Sequence, residues 1–126
     1  MGAARATRPG TTLRIAEVVV DCADHEVVVA FWSAALGWKV RRVNRQYVAL
    51  APPAGSPGPA ILFQLVPEPK TLKNRVHLDF RADSMVAEVA RLVGLGATVI
   101  AERSLRSFRW TVMADPEGNE FCVSGG

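Results

Sequence analysis

Two pairs of landmarks recur in this chain at one offset. Asp24 and Gly37 bracket an apolar helical stretch, and Asp83 and Gly96 bracket a second one 59 residues later. Before each Asp runs a strand-like segment, Leu13 to Val20 in the first half and Asn74 to Phe80 in the second. After each Gly come three short strand candidates. A long period that occurs only twice points to a duplicated module rather than a solenoid, which needs several stacked copies to bury its core. The junction of the two copies is the first place to look for a site.

The first copy reads as follows. Leu13, Ile15, Val18 and Val20 mark a strand, and Asp24 caps a helix whose free first-turn amides its carboxylate can accept. Val27, Ala30, Phe31 and Ala34 recur at helical spacing, and Gly37 supplies a left-handed cap after Leu36. Trp38 to Val43 and Gln46 to Ala51 form a hairpin about Asn44-Arg45. The Pro- and Gly-rich run from Pro52 to Pro59 is a loop, and Ile61 to Val66 is the next strand.

The second copy repeats that order. Asp83 or Ser84 caps a helix with a Val86, Val89, Ala90, Val93 stripe, and Gly94 and Gly96 end it. Thr98 to Glu102, Phe108 to Ala114 and Glu120 to Ser124 are strands, the last two joined by the turn Asp115-Pro116-Glu117-Gly118. The expected organisation is a flexible tail over residues 1–12 and one α+β domain over 13–126. That domain is built of two βαβββ modules, 13–66 and 74–123, which form a curved, partly open eight-stranded barrel around a cleft.

With 126 residues, 49% of them hydrophobic, the chain supports one core and not two independent domains. Its net charge of +3 is carried by scattered arginines, with no basic helix or base-stacking motif, so nucleic-acid binding is not expected. No apolar run approaches the ~20 residues of a membrane span. Met1 to Thr12 lacks the apolar core of a secretory signal, and Cys22 and Cys122 read as reduced, largely buried thiols, so a cytoplasmic location is expected. Trp32, Phe63 and Phe121 read as core, Trp110 as a candidate cleft wall, and His25 as a surface imidazole.

The phrases Val20-Asp21-Cys22-Ala23-Asp24, Phe31-Trp32-Ser33, Asn74-Arg75-Val76-His77-Leu78-Asp79 and Asp115 to Cys122 resemble the vicinal oxygen chelate superfamily. That group includes glyoxalase I, bleomycin-resistance proteins and extradiol dioxygenases, and the likeness is to its small glyoxalase-like members. The resemblance implies a divalent metal, zinc, nickel, manganese or iron, on inward positions of four strands. Those positions fall on Glu17, Gln64, His77 and Cys122, and Glu120, on the same face as Cys122, is an alternative carboxylate. Glu17, His77 and Glu120 are thus the candidate catalytic and metal residues, and Gln64, Trp110 and Cys122 the candidate substrate contacts. The competing reading makes His77 a hydrogen-bonded cleft residue and Cys122 a core thiol, with no metal.

Two functions follow from the resemblance. One is a lyase or isomerase that removes a proton beside a carbonyl; the other is a metal-free protein that sequesters a drug or metabolite. The resemblance also implies a small-molecule ligand and a homodimer associated through sheets and helices, with the two modules pairing either within one chain or across the dimer.

Overall fold

A computed structural model describes Gly10 and residues 12–126, so the tail expected over residues 1–12 falls almost wholly outside the described residues. The order is β1 (Glu17–Cys22), α1 (His25–Leu36), β2 (Lys39–Arg42), β3 (Tyr47–Ala51) and β4 (Ala60–Leu65), then β5 (Leu78–Arg81), α2 (Met85–Leu95), β6 (Thr98–Leu105), β7 (Phe108–Ala114) and β8 (Glu120–Ser124). The strands make two mixed four-stranded sheets, ordered β1-β4-β3-β2 and β5-β8-β7-β6. Each copy places its first and last strands side by side in parallel. The duplication is therefore real, and the eight strands do not close into a barrel.

The caps act as the residue types dictate. The Asp24 carboxylate accepts from the Glu26 amide at 2.9 Å, and Gly37, at φ 69°, ends α1 with its N–H on the Ser33 carbonyl. Of the two capping candidates in the second copy it is Ser84 that caps α2, through the Ala87 amide. Gly94 lies inside α2, and Gly96 alone ends it.

Both opening strands start later than the apolar pattern suggests. Pro57 and Pro59 cannot donate to a ladder, so β4 begins at Ala60 and Glu17 is the first residue of β1 with a partner. Leu13 and Ile15 are exposed instead. In the second copy Leu78 pairs with Phe121, and residues 74–77 precede the ladder.

Both helix stripes are also out of phase with the periodicity. α1 buries Val28, Val29, Phe31 and Trp32, while Val27 is half exposed. The helix is apolar nearly all round, so spacing alone does not select a face. α2 buries Leu92 and packs Met85 and Val89, leaving Val86 exposed.

One core lies between the sheets and the helices. Val20, Cys22, Val48, Leu50, Ile61 and Phe63 of the first sheet join Met113, Phe121 and Val123 of the second in a single cluster. Phe31 and Trp32 reach across to Phe121, at ring separations of 6.3 and 4.8 Å. Arg91 of α2 donates to the Ala34 and Ala35 carbonyls at the end of α1. His25 corrects the surface reading: its Nε2 sits 3.1 Å from the Gln46 carbonyl and 3.2 Å from that of Phe63, so it joins α1 to the first sheet.

Because alternate residues of each strand pack under the helices, the others lie on the opposite, open face of each sheet. On the first sheet these are Glu17, Val19 and Asp21, with Gln64 opposite Asp21. On the second they include Asp79, Cys122 and Val112 in one row, and Arg81, Ser124, Trp110 and Arg103 in the next.

Candidate functional site

β5 and β8 run parallel with Asp79 opposite Cys122, so those two side chains share the open face. His77, two residues before Asp79, joins them: its Nε2 lies 3.2 Å from Asp79 Oδ1. The donor atoms of His77, Asp79 and Cys122 all fall within 4.8 Å of one another, the one such trio of potential metal ligands among the described residues. His77 and Asp79 are exposed and Cys122 is buried. Burial pushes the Cys122 thiol up, and the Asp79 carboxylate, which accepts its S–H, pushes it further.

His77 also stands at the lip of a cavity of about 310 Å³ between the two modules. Its walls are apolar, from Val18, Val20, Ile61, Phe63, Trp32 and Phe121, and Asn74, Asp115 and Glu120 supply its polar edge. Such walls with a few convergent polar groups suit a small organic ligand.

The remaining predicted residues separate. Glu120 lines the cavity, but both its oxygens are engaged: Oε1 accepts from the Asn74 amide at 2.9 Å and Oε2 pairs with Lys70 at 3.1 Å. Burial raises its pKa, and the Asn74 amide and the Lys70 ammonium outweigh that, leaving it below the usual carboxylate range. Glu17 and Gln64 lie on the open face of the other sheet, Glu17 exposed beside Ala60 and Gln64 half-buried beside Asp21. Neither belongs to the ligand trio. Trp110 lies on the same face as Cys122, one row along, its ring 5.5 Å from that of Phe108.

Asp79 is the residue that the sequence reading passed over. The signal was there: His-x-Asp on a strand puts both side chains on one face.

A sequence profile of the glyoxalase-like domain matches residues 17–124. The chain belongs to the glyoxalase-like domain family. Solved structures agree on the fold. A glyoxalase/bleomycin resistance protein/dioxygenase family enzyme from Burkholderia phytofirmans superposes with a TM-score of 0.71 at 20% identity, over 87% of this chain and 96% of that one. A lactoylglutathione lyase from Agrobacterium tumefaciens gives 0.65 at 17% identity, over 92% and 96%. An antibiotic-binding protein from a Streptomyces species gives 0.67 at 20%, over 91% and 98%. No curated protein sequence matches the chain significantly. In this glyoxalase-like chain the family fold, that of the vicinal oxygen chelate superfamily, thus brings together one imidazole, one carboxylate and one thiol on a single sheet. Among the described residues, no helix is long and apolar enough to cross a membrane.

Proposed function

We propose that this glyoxalase-like protein binds a small organic molecule beside His77, Asp79 and Cys122, and that these three side chains hold a divalent metal ion. The observation that carries the reading is the trio itself: nitrogen, oxygen and sulfur donors, all within 4.8 Å of one another. Tetrahedral zinc with bonds of ~2.0–2.3 Å needs its ligand atoms closer than that, so small rotations of the two exposed side chains complete the fit. Imidazole with thiolate favours zinc over manganese or iron, and three protein ligands leave a position open.

Bound there, the ion supplies a Lewis acid for a carbonyl oxygen. His77 Nε2 and Asp79 Oδ1, 3.2 Å apart, would take adjacent positions on the ion, and the apolar cavity that His77 also borders would hold the apolar part of the bound molecule. For a lyase or isomerase that removes a proton beside a carbonyl, Glu17 is the base, because Glu120 spends both its oxygens on Asn74 and Lys70. Glu17 and Gln64 lie on the open face of the other sheet, so a second copy of residues 13–126 facing the first unites the two halves of the site. The working form is a homodimer in the cytoplasm.

The metal-free binder is the second reading. It is favoured by the aromatic and aliphatic cavity, and by the antibiotic-binding protein among the fold's relatives. Metal analysis of protein purified without chelators separates the two. The enzyme reading expects about one zinc per chain, lost in His77→Ala and in Cys122→Ala with the fold intact by circular dichroism. Wild-type protein that takes up no zinc, nickel, manganese or iron on reconstitution overturns it in favour of the binder.

A further inference from the structure

One row along the open face from Asp79 and Cys122, four strands contribute Arg81, Ser124, Trp110 and Arg103, each directly opposite the next. Opposed residues in register share a face, and neighbouring strands lie about 4.8 Å apart, so these four form a continuous line across β5, β8, β7 and β6. The side chains alternate in size. Ser124 is small and buried, and on either side of it stand a guanidinium and an indole. The result is a trough with Ser124 as its floor and Arg81 and Trp110 as its walls.

The trough has two ends. Toward Cys122 it reaches the His77, Asp79 and Cys122 trio after two residues, about 7 Å along the strand. At its other end Arg81 and Phe108 also border a depression of about 470 Å³ that Ser84, Met85 and Val86, at the start of α2, complete from the helix side. Phe108 extends the indole wall, its ring inclined at 31° to that of Trp110.

The charges in this line are not neutralised. Arg109 has Glu102 at 3.9 Å, but neither Arg81 nor Arg103 makes an ion pair among the described residues. Asp79, the nearest carboxylate in the neighbouring row, is engaged with His77. Two unpaired guanidiniums beside a flat aromatic wall recognise an anion through their planar forks and a ring through stacking.

We infer that this line is the recognition half of the site, and that its ligand is an organic acid with a flat conjugated or aromatic part. The ring lies against Trp110 and Phe108, the carboxylate faces Arg81 across the Ser124 floor with Arg103 adding positive charge from behind the indole, and the remaining end of the molecule reaches His77 and Cys122. The inference rests on the reading of the open face as a small-molecule site and adds the sign of the charge. A cationic drug is disfavoured at this face, since it meets two guanidiniums that have nothing else to balance them.

Calorimetric titration of the full chain with 1-naphthoate, 1-naphthamide and 1-naphthylmethylamine reads that sign directly. The naphthoate is expected to bind at least about tenfold more tightly than the amide, and the amine more weakly than both. Arg81→Gln is expected to cut naphthoate affinity about tenfold and Arg103→Gln about twofold to threefold, each leaving the amide within about twofold. Arg81→Lys, which keeps the charge, is expected to retain part of the preference, and Trp110→Ala to weaken all three probes. Equal binding of naphthoate and amide to wild type overturns the charge assignment and leaves the small-molecule site standing. Binding of no probe at any charge overturns both.

Discussion

Trp32 on α1 donates its indole Nε1–H to Asp115 Oδ2 at 2.9 Å, a hydrogen bond that joins the first module to the turn between the last two strands of the second. Asp115 is 4% exposed, and its other oxygen accepts from the Glu117 and Asn119 amides. The turn is bound to the first module a second time, because the Glu117 carboxylate accepts from the Ala23 and Asp24 amides just before α1. One short loop thus fixes how the modules meet, and with it the shape of the cavity that Trp32 and Asp115 line.

Removing that hydrogen bond leaves the buried Asp115 Oδ2 with only the longer bond from Asn119 Nδ2, at 3.3 Å. Trp32→Phe is expected to cost about 2–4 kcal/mol, combining a lost charge-assisted bond with the space the indole leaves. Asp115→Ala strands the Trp32 donor and two turn amides and is expected to cost at least as much. Urea unfolding monitored by circular dichroism measures both. A loss under about 0.5 kcal/mol for Asp115→Ala would contradict the joint.

Glu120 makes stability depend on acid pH. Its pKa is lowered on folding, so its contribution is present above the ordinary glutamate value near 4.3 and is lost as pH falls through the folded value. Glu120→Gln is therefore expected to cost about 1 kcal/mol at pH 7 and progressively less below pH ~4. Paired urea curves at pH 7 and pH 3 test the sign; a gap that widens in acid would reverse it.

The duplication was legible because caps and terminators are single residues whose chemistry is nearly context-free. Asp24, Gly37, Ser84 and Gly96 act as their residue types require. What was not legible depended on partners. The start of β1 is fixed by where β4 begins, and the buried face of α1 by a second sheet that the helix touches through Phe31 and Trp32. The site divided in the same way. His77 and Cys122 meet, as parallel pairing of first and last strands requires, while the role of Glu120 was set by Lys70 and Asn74, fifty and forty-six residues away in the chain. His25 escaped for the same reason: its acceptors are backbone carbonyls, which carry no sequence signature.

Glu117 offers a test confined to local dynamics. Its carboxylate holds two amides that lie outside any ladder, so Glu117→Ala is expected to raise hydrogen exchange at Ala23 and Asp24 by about tenfold or more, with the core strands unchanged. Exchange followed by NMR gives each amide separately. Uniform acceleration across β3 and β8 would instead mean that the whole fold had weakened.

The two thiols provide an internal comparison for the metal centre. Cys22 is buried in the core, and burial together with Glu117, Asp21 and other carboxylates pushes its pKa up to about 11. Cys122 is raised as well, by burial first and then by Asp79, so both are thiols rather than thiolates at neutral pH. Iodoacetamide at pH 7.5 is therefore expected to modify the native chain slowly at both positions and rapidly at both after unfolding. Zinc changes only one of them, because a coordinated cysteine must lose its proton and turn its sulfur to the metal. Added zinc should suppress the Cys122 reaction severalfold and leave Cys22 where it was. Peptide mapping by mass spectrometry separates the two sites. His77→Ala should abolish the zinc effect without altering the metal-free rate by more than about twofold, and zinc protection that survives that substitution would remove His77 from the ligand set.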